Sequence, residues 1–155
     1  MNGALVIGYG NPLRTDDGLG WQAAACLAQA CSESDVRILT CHQLTPELAE
    51  TISQAERVAF IDASEGGSPG ELVVEPVQAS PTENTILDHA VNPSRLLAYA
   101  RQLYHVSPPA VVFSIRCHSF ELGEGLSPEV SAVLPVLVSR VQQWLRSPSG
   151  EFSHA

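Results

Sequence analysis

The sequence predicts an α/β protein: a three-layer α/β/α sandwich on a five-stranded, mostly parallel sheet with one antiparallel edge strand. Three observations carry this. Short runs that are apolar on both faces, suited to strands covered by helices on either side, recur along the chain. Segments with apolar residues at helical spacing alternate with them, giving the order β-α-β-α-β-β-α-β-α. One link, Ala63 to Gly70, is too short and glycine-rich for a crossover helix, so the strand after it should run antiparallel.

The doubly apolar runs are Ala4 to Ile7, Val58 to Ile61 and Val111 to Ile115, the last interrupted by Ser114. Val36 to Cys41 mixes polar and apolar residues and reads as an edge strand. Glu71 to Pro76 reads as another edge, because a proline cannot donate to a ladder. The first helix shows an apolar stripe of Leu19, Ala23, Cys26, Leu27 and Ala30. Three later helices announce their starts with a capping residue before a proline: Thr45-Pro46, Asn92-Pro93 and Ser127-Pro128. Leu96, Leu97, Ala100, Leu103 and Tyr104 stripe one of them. Val130, Val133, Leu134, Leu137, Val141 and Leu145 stripe the last, which Pro135 should kink or split. The stretch Val77 to Val91 has neither period. At 155 residues the chain fits one domain, assigned here to 1–147, with 148–155 as a flexible tail.

Hydrophobic residues form 45% of the chain and charged ones 16%, a globular balance. A formal charge of −9 argues against nucleic acid and anionic membrane as partners, since both are negative themselves. No apolar run approaches the roughly 20 residues of a membrane span, and the N-terminus lacks a signal-peptide pattern, so the expected location is cytoplasmic. Cys26, Cys31, Cys41 and Cys117 form no Cys-x-x-Cys pair and read as small core residues kept reduced.

Ligands of open α/β sheets bind beyond the carboxyl ends of the strands. Asp16 and Asp17 follow the first strand, His42 the second, Asp62 ends the third, His118 follows the fifth, and His89 lies in the long loop before a helix. Two carboxylates and an imidazole converging there would suit a divalent transition metal. One of Asp16 and Asp17 has a helix cap as its plainer role, and the other is then the functional candidate. Hydrogen bonding into the turn after Ala63 is the plainer role of Asp62, and surface exposure that of His89. His105 reads as a cation at a helix C-terminus. Gly8-Tyr9-Gly10-Asn11-Pro12-Leu13 opens like a dinucleotide fingerprint but has Leu13 at the third glycine's place.

The segment Val6-Ile7-Gly8-Tyr9-Gly10-Asn11-Pro12-Leu13-Arg14-Thr15-Asp16-Asp17-Gly18-Leu19-Gly20 closely resembles the N-terminal signature of the peptidases that mature nickel–iron hydrogenases. Phe60-Ile61-Asp62-Ala63 resembles that family's strand ending in Asp, His89 its loop histidine, and Gly125-Leu126-Ser127-Pro128-Glu129-Val130 its Gly-Leu-Ser-Pro stretch. The resemblance implies an endopeptidase that cuts a C-terminal extension from a hydrogenase large-subunit precursor. It implies Asp17, Asp62 and His89 as ligands of nickel that the precursor supplies, and Asp17 and Asp62 as the catalytic pair. Many members carry Asp-Gly-Gly-Thr after the second strand, whereas this chain has His42-Gln43-Leu44-Thr45, which resembles the branch serving bidirectional, NAD-linked hydrogenases. These four residues are the implied specificity segment. A nonenzymatic nickel-checking chaperone and a nucleotide-binding domain are the competing readings.

Overall fold

A computed structural model describes residues 3–31, 35–80, 91–117 and 120–146. In chain order they form β1 (Ala4–Tyr9), a 3₁₀ turn (Thr15–Gly18), α1 (Leu19–Ala30), β2 (Val36–Cys41), α2 (Leu48–Ser53) and β3 (Arg57–Glu65). Then come β4 (Leu72–Val77), α3 (Pro93–Tyr104), β5 (Ala110–Cys117) and α4 (Pro128–Arg146). The five strands make one sheet in the order β2-β1-β3-β5-β4. The β1–β2, β1–β3 and β3–β5 pairs are parallel, and β4 runs antiparallel to β5 at the edge. This is the predicted architecture. The β3–β4 link steps across the end of β5, where Gly70 N donates to Arg116 O at 2.8 Å and Arg116 N to Glu71 O at 2.9 Å.

The doubly apolar strands are explained by two cores. Ala4 and Val6 of β1, with Ala59 and Ile61 of β3, pack against Leu19, Ala23 and Leu27 of α1 and Val130, Leu137, Val141 and Trp144 of α4. Leu5 and Ile7, with Val58 and Phe60, pack on the other face against Ala49 and Ile52 of α2 and Leu96, Leu97 and Ala100 of α3. Truncating a fully buried Phe60 to alanine would cost about 3–5 kcal/mol, by the loss of transfer energy and the cavity left.

Several helix details differ from expectation. Cys26 and Ala30 face solvent and Ala24 is buried in their stead, so the α1 stripe is narrower than read. None of the four cysteines forms a disulfide; Cys117 is buried, but Cys26 is exposed and is no core residue. Leu103 and Tyr104 are exposed, because the apolar stripe of α3 ends at Ala100. Helix α2 begins at Leu48, two residues later than its proline signal, after 3₁₀-type bonds from Leu48 N to Thr45 O and Ala49 N to Pro46 O. Helix α3 starts as read, with Asn92 Oδ1 accepting from Arg95 N at 2.8 Å. Helix α4 runs unbroken through Pro135: both Pro135 and Ser131, whose carbonyl loses its helical N–H partner, lie on the exposed side, where that carbonyl is open to solvent. At its far end Arg57 Nη2 donates to Leu145 O at 2.6 Å and the guanidinium lies 4.7 Å from the Trp144 ring centroid, a cation serving the last carbonyls. Among the described residues no helix is long and apolar enough to cross a membrane. The tail from 148, and residues 81–90 of the loop before α3, lie outside the described residues.

Candidate active site

The loop after β1 is built to present one carboxylate and hide another. Gly10 N donates to Cys41 O at 3.1 Å, carrying the β1–β2 ladder one step beyond the strands. Asn11 Oδ1 then accepts from Leu13 N at 2.9 Å, turning the chain into the 3₁₀ turn. Asp16 points inward and is fully buried, with Ser127 N donating to Oδ1 at 2.7 Å and Ser127 Oγ to Oδ2 at 2.9 Å. Asp17 stays half-exposed, and its Oδ2 accepts from Asn11 N at 2.8 Å. Neither caps α1, whose N-cap is Gly18 without a side-chain bond. The expected cap role therefore falls away, and Asp16 is a tie between the first loop and the start of α4.

Close packing fixes where Asp17 sits. Gly10 has φ +140°, and a Cβ there would lie 2.1 Å from Asp17 O and 3.0 Å from Asp17 Oδ1. Only glycine leaves that space. The 120–125 loop straps the acid loop from outside: Thr15 N donates to Gly123 O at 2.9 Å, Gly123 N to Leu13 O at 2.8 Å, and Thr15 Oγ1 to Glu121 O at 3.2 Å. The Gly-Tyr-Gly-Asn segment and the Gly-Leu-Ser-Pro segment are one structural unit.

Asp62 lies inside β3, not at its end, because the strand continues to Glu65 along β5. Pairing with β1 stops at Gly8 opposite Ile61, so Asp62 faces Ser114 on one side and the end of β1 on the other. There Tyr9 packs edge-to-face on Phe60, with ring centroids 6.5 Å apart, and its phenol hydrogen-bonds to the Asp62 carboxylate. Burial pushes Asp62 up to about 6, and the charge of Asp17 adds to this. The Tyr9 hydroxyl and the Ala63 N–H oppose it. Asp17 is also raised by burial, against the Asn11 N–H and the Arg14 charge. Burial and the Asp62 charge both raise the Tyr9 phenol, which keeps it a protonated donor. Burial raises the Cys41 thiol too. The site thus holds two electrostatically coupled carboxyls of unequal environment, an arrangement able to divide acid and base roles or to offer oxygen ligands to a cation.

Of the specificity segment, His42 and Gln43 are exposed at the rim. His42 meets Trp21 edge-to-face at 5.5 Å, and Trp21 Nε1 donates to Gly10 O at 2.8 Å, which anchors the rim to the acid loop. Leu44, by contrast, is 4% exposed and packs in the α2–α3 core, so its side chain is turned away from the rim. Thr45 is half-buried and hydrogen-bonds to the Glu47 carboxylate. His89 and His118 lie outside the described residues, among which no three His, Cys, Asp or Glu side chains gather to hold a metal. Reading the sequence missed Tyr9 and Trp21. Tyr9 was legible in principle, as the next residue on the Leu5–Ile7 face; Trp21 had no such signal.

No family model matches the chain, and no curated protein matches it. Solved structures share its fold. The hydrogenase maturating endopeptidase HybD from E. coli is 23% identical, with TM-score 0.77 over 94% of this chain and 93% of its own. The [NiFe] hydrogenase maturation protease HycI from Thermococcus kodakarensis is 21% identical, with TM-score 0.76 over 94% of each chain. The hydrogenase 2 maturation peptidase from a Thaumarchaeota archaeon is 23% identical, with TM-score 0.72 over 94% of this chain and 99% of its own. At such identities the likeness is one of fold.

Proposed function

We propose that this chain is an endopeptidase that removes the C-terminal extension of a nickel–iron hydrogenase large-subunit precursor after nickel insertion. The observation that carries the reading is the coupled Asp17–Asp62 pair, set at the carboxyl edge of a fold shared with hydrogenase maturation proteases. The signature residues around the pair support it: each has a geometric task, with Gly10 making room for Asp17 and Asn11 bonding it. The nickel belongs to the precursor. Asp17 and Asp62 would offer it oxygens and His89 a nitrogen, leaving positions for the precursor's own thiolates. A precursor without nickel lacks that contact, and the difference in affinity is the check on its maturity.

Nickel could act as a Lewis acid on the scissile carbonyl. The unequal environments of the two carboxyls favour pair chemistry: one carboxylate takes a proton from water as the oxygen attacks, and the other carboxyl protonates the departing amine. The His42-Gln43-Leu44-Thr45 segment points to a bidirectional, NAD-linked hydrogenase as the source of the substrate, and the expected compartment is the cytoplasm. Nucleic acid and membrane are not expected partners, given the charge of −9.

The test is to mix the protein with nickel-loaded and nickel-free large-subunit precursor and follow the precursor's mass. Loss of the extension from the loaded form alone is expected. A loaded precursor that binds without shortening would favour the chaperone reading, and one that neither binds nor shortens would remove both.

A further inference from the structure

Strands β3 and β5 change character at the same level, and on one face only. On the face covered by α2 and α3, the facing rows Val58–Ala110 and Phe60–Val112 are apolar and pack into that core. The next two rows are Asp62–Ser114 and Ser64–Arg116. The opposite face stays apolar one row further, with Ala63, Ile115 and Cys117 buried against α1 and α4, and turns polar only at Glu65, exposed in the last row opposite Cys117. A sheet between helical layers has no packing reason to turn polar on one side alone. Successive same-face residues stand about 6.5 Å apart, so the Ser64–Arg116 row lies one to two residues of extended peptide from Asp62.

Arg116 is set there with capacity to spare. The backbone bonds to Gly70 and Glu71 fix its position at the strand end. Its stem lies against the 66–70 turn, where a Cβ on Gly67 would come within 3.3 Å of Cγ and Cδ. Nη1 donates to Ser64 Oγ at 3.2 Å, while the buried Nε has no partner among the described residues. Burying a guanidinium nitrogen without an acceptor is costly, and although Glu71 Oε1 lies near the stem, within 3.2 Å of the same Cβ position, no group bonds to Nε among the described residues. That cost falls when an acceptor oxygen arrives. We infer that Arg116 is a substrate-binding residue whose guanidinium takes an acceptor oxygen of the bound polypeptide, a main-chain carbonyl or a carboxylate, one or two residues from the scissile bond. This rests on the endopeptidase reading.

The experiment measures kcat and KM on nickel-loaded precursor for wild type, Arg116→Gln, Arg116→Lys and Ser64→Ala, with thermal melts of each. Arg116→Gln should raise KM about tenfold and change kcat far less; Arg116→Lys, which keeps the charge but not the fork, should recover part of the loss. Ser64→Ala should keep KM near wild type. A second precursor, with the acidic residues of its extension made neutral, separates the acceptors. If the Arg116→Gln penalty vanishes there the oxygen is a carboxylate's, and if it persists the oxygen is main-chain. Active wild type with unchanged KM in Arg116→Gln overturns the inference alone. So does Ser64→Ala matching Arg116→Gln with both melting lower, since Arg116 would then be a structural tether. Wild type that never cleaves the precursor overturns the inference and the endopeptidase reading together.

Discussion

Asp16 and Ser127, 111 residues apart in sequence, are joined by two hydrogen bonds that use both carboxylate oxygens, at 2.7 and 2.9 Å. The bond spends on α4 the carboxylate that sequence position would have given to α1, and it leaves Asp17 as the half-exposed member of the pair. Hydrogen bonds to a charged, buried group contribute about 1.5–3 kcal/mol. Asp16→Ala should therefore destabilise the protein by roughly 3 kcal/mol, and Ser127→Ala by about half that, because its backbone N–H still donates. A double-mutant cycle in urea should show coupling between the two; additive effects would remove the tie.

Gly10→Ala should damage site and fold together. The added methyl would lie 2.1 Å from Asp17 O at a φ of +140°. The expected cost is about 2 kcal/mol or more from strain and displacement, with processing lost. Urea denaturation checks the first and the precursor's mass the second. A variant as stable and active as wild type would mean that the loop adapts freely.

Asp62→Asn gives a pH signature in stability. The folded carboxyl holds its proton up to about 6 against an ordinary 3.8, so the native state binds the extra proton and stability falls as pH rises through that window. At pH 7.5 the ionised group costs the fold roughly 3 kcal/mol, and at pH 4 little. Asparagine removes the cost. Its melting temperature should exceed wild type by roughly 5–10 °C at pH 7.5 and match it near pH 4. Processing should disappear, so this would be a more stable and inactive protein. Equal melting at both pH values would contradict the burial of Asp62.

Tyr9→Phe removes a group that lowers the Asp62 value. The proton on Asp62 should be held more tightly, moving the pH dependence of kcat/KM towards higher pH by up to about one unit. A profile that stays in place would mean that the phenol serves packing alone.

His42→Ala, at the exposed rim against Trp21, should raise KM for the native precursor and shift stability by less than about 0.5 kcal/mol. Including Leu44 in such a substitution would confuse the result, because its removal opens the α2–α3 core. Unchanged turnover and KM in His42→Ala would take this rim out of substrate choice.

The layered fold was legible in the sequence because burial of strands on both faces needs apolar residues at every position, and helices need them at every third or fourth. The antiparallel β4 followed from a link too short to cross the sheet. Asp62 was legible as a candidate because a carboxylate after a wholly apolar run needs a reason to be there, and Asp17 because two adjacent carboxylates after the first strand are more than a helix cap requires. Tertiary structure alone decided the rest. Leu44 and Gln43 are neighbours, yet one packs into the core against α2 and α3 and the other meets water. Adjacent Asp16 and Asp17 took opposite fates because a carboxylate's role is set by the N–H and O–H groups it meets. Those of Asp16 come from Ser127 and the one on Asp17 from Asn11. The unusual proton affinity of Asp62 is likewise a property of burial beside Tyr9 and Asp17, groups that only folding brings together beyond the end of the β1–β3 pairing.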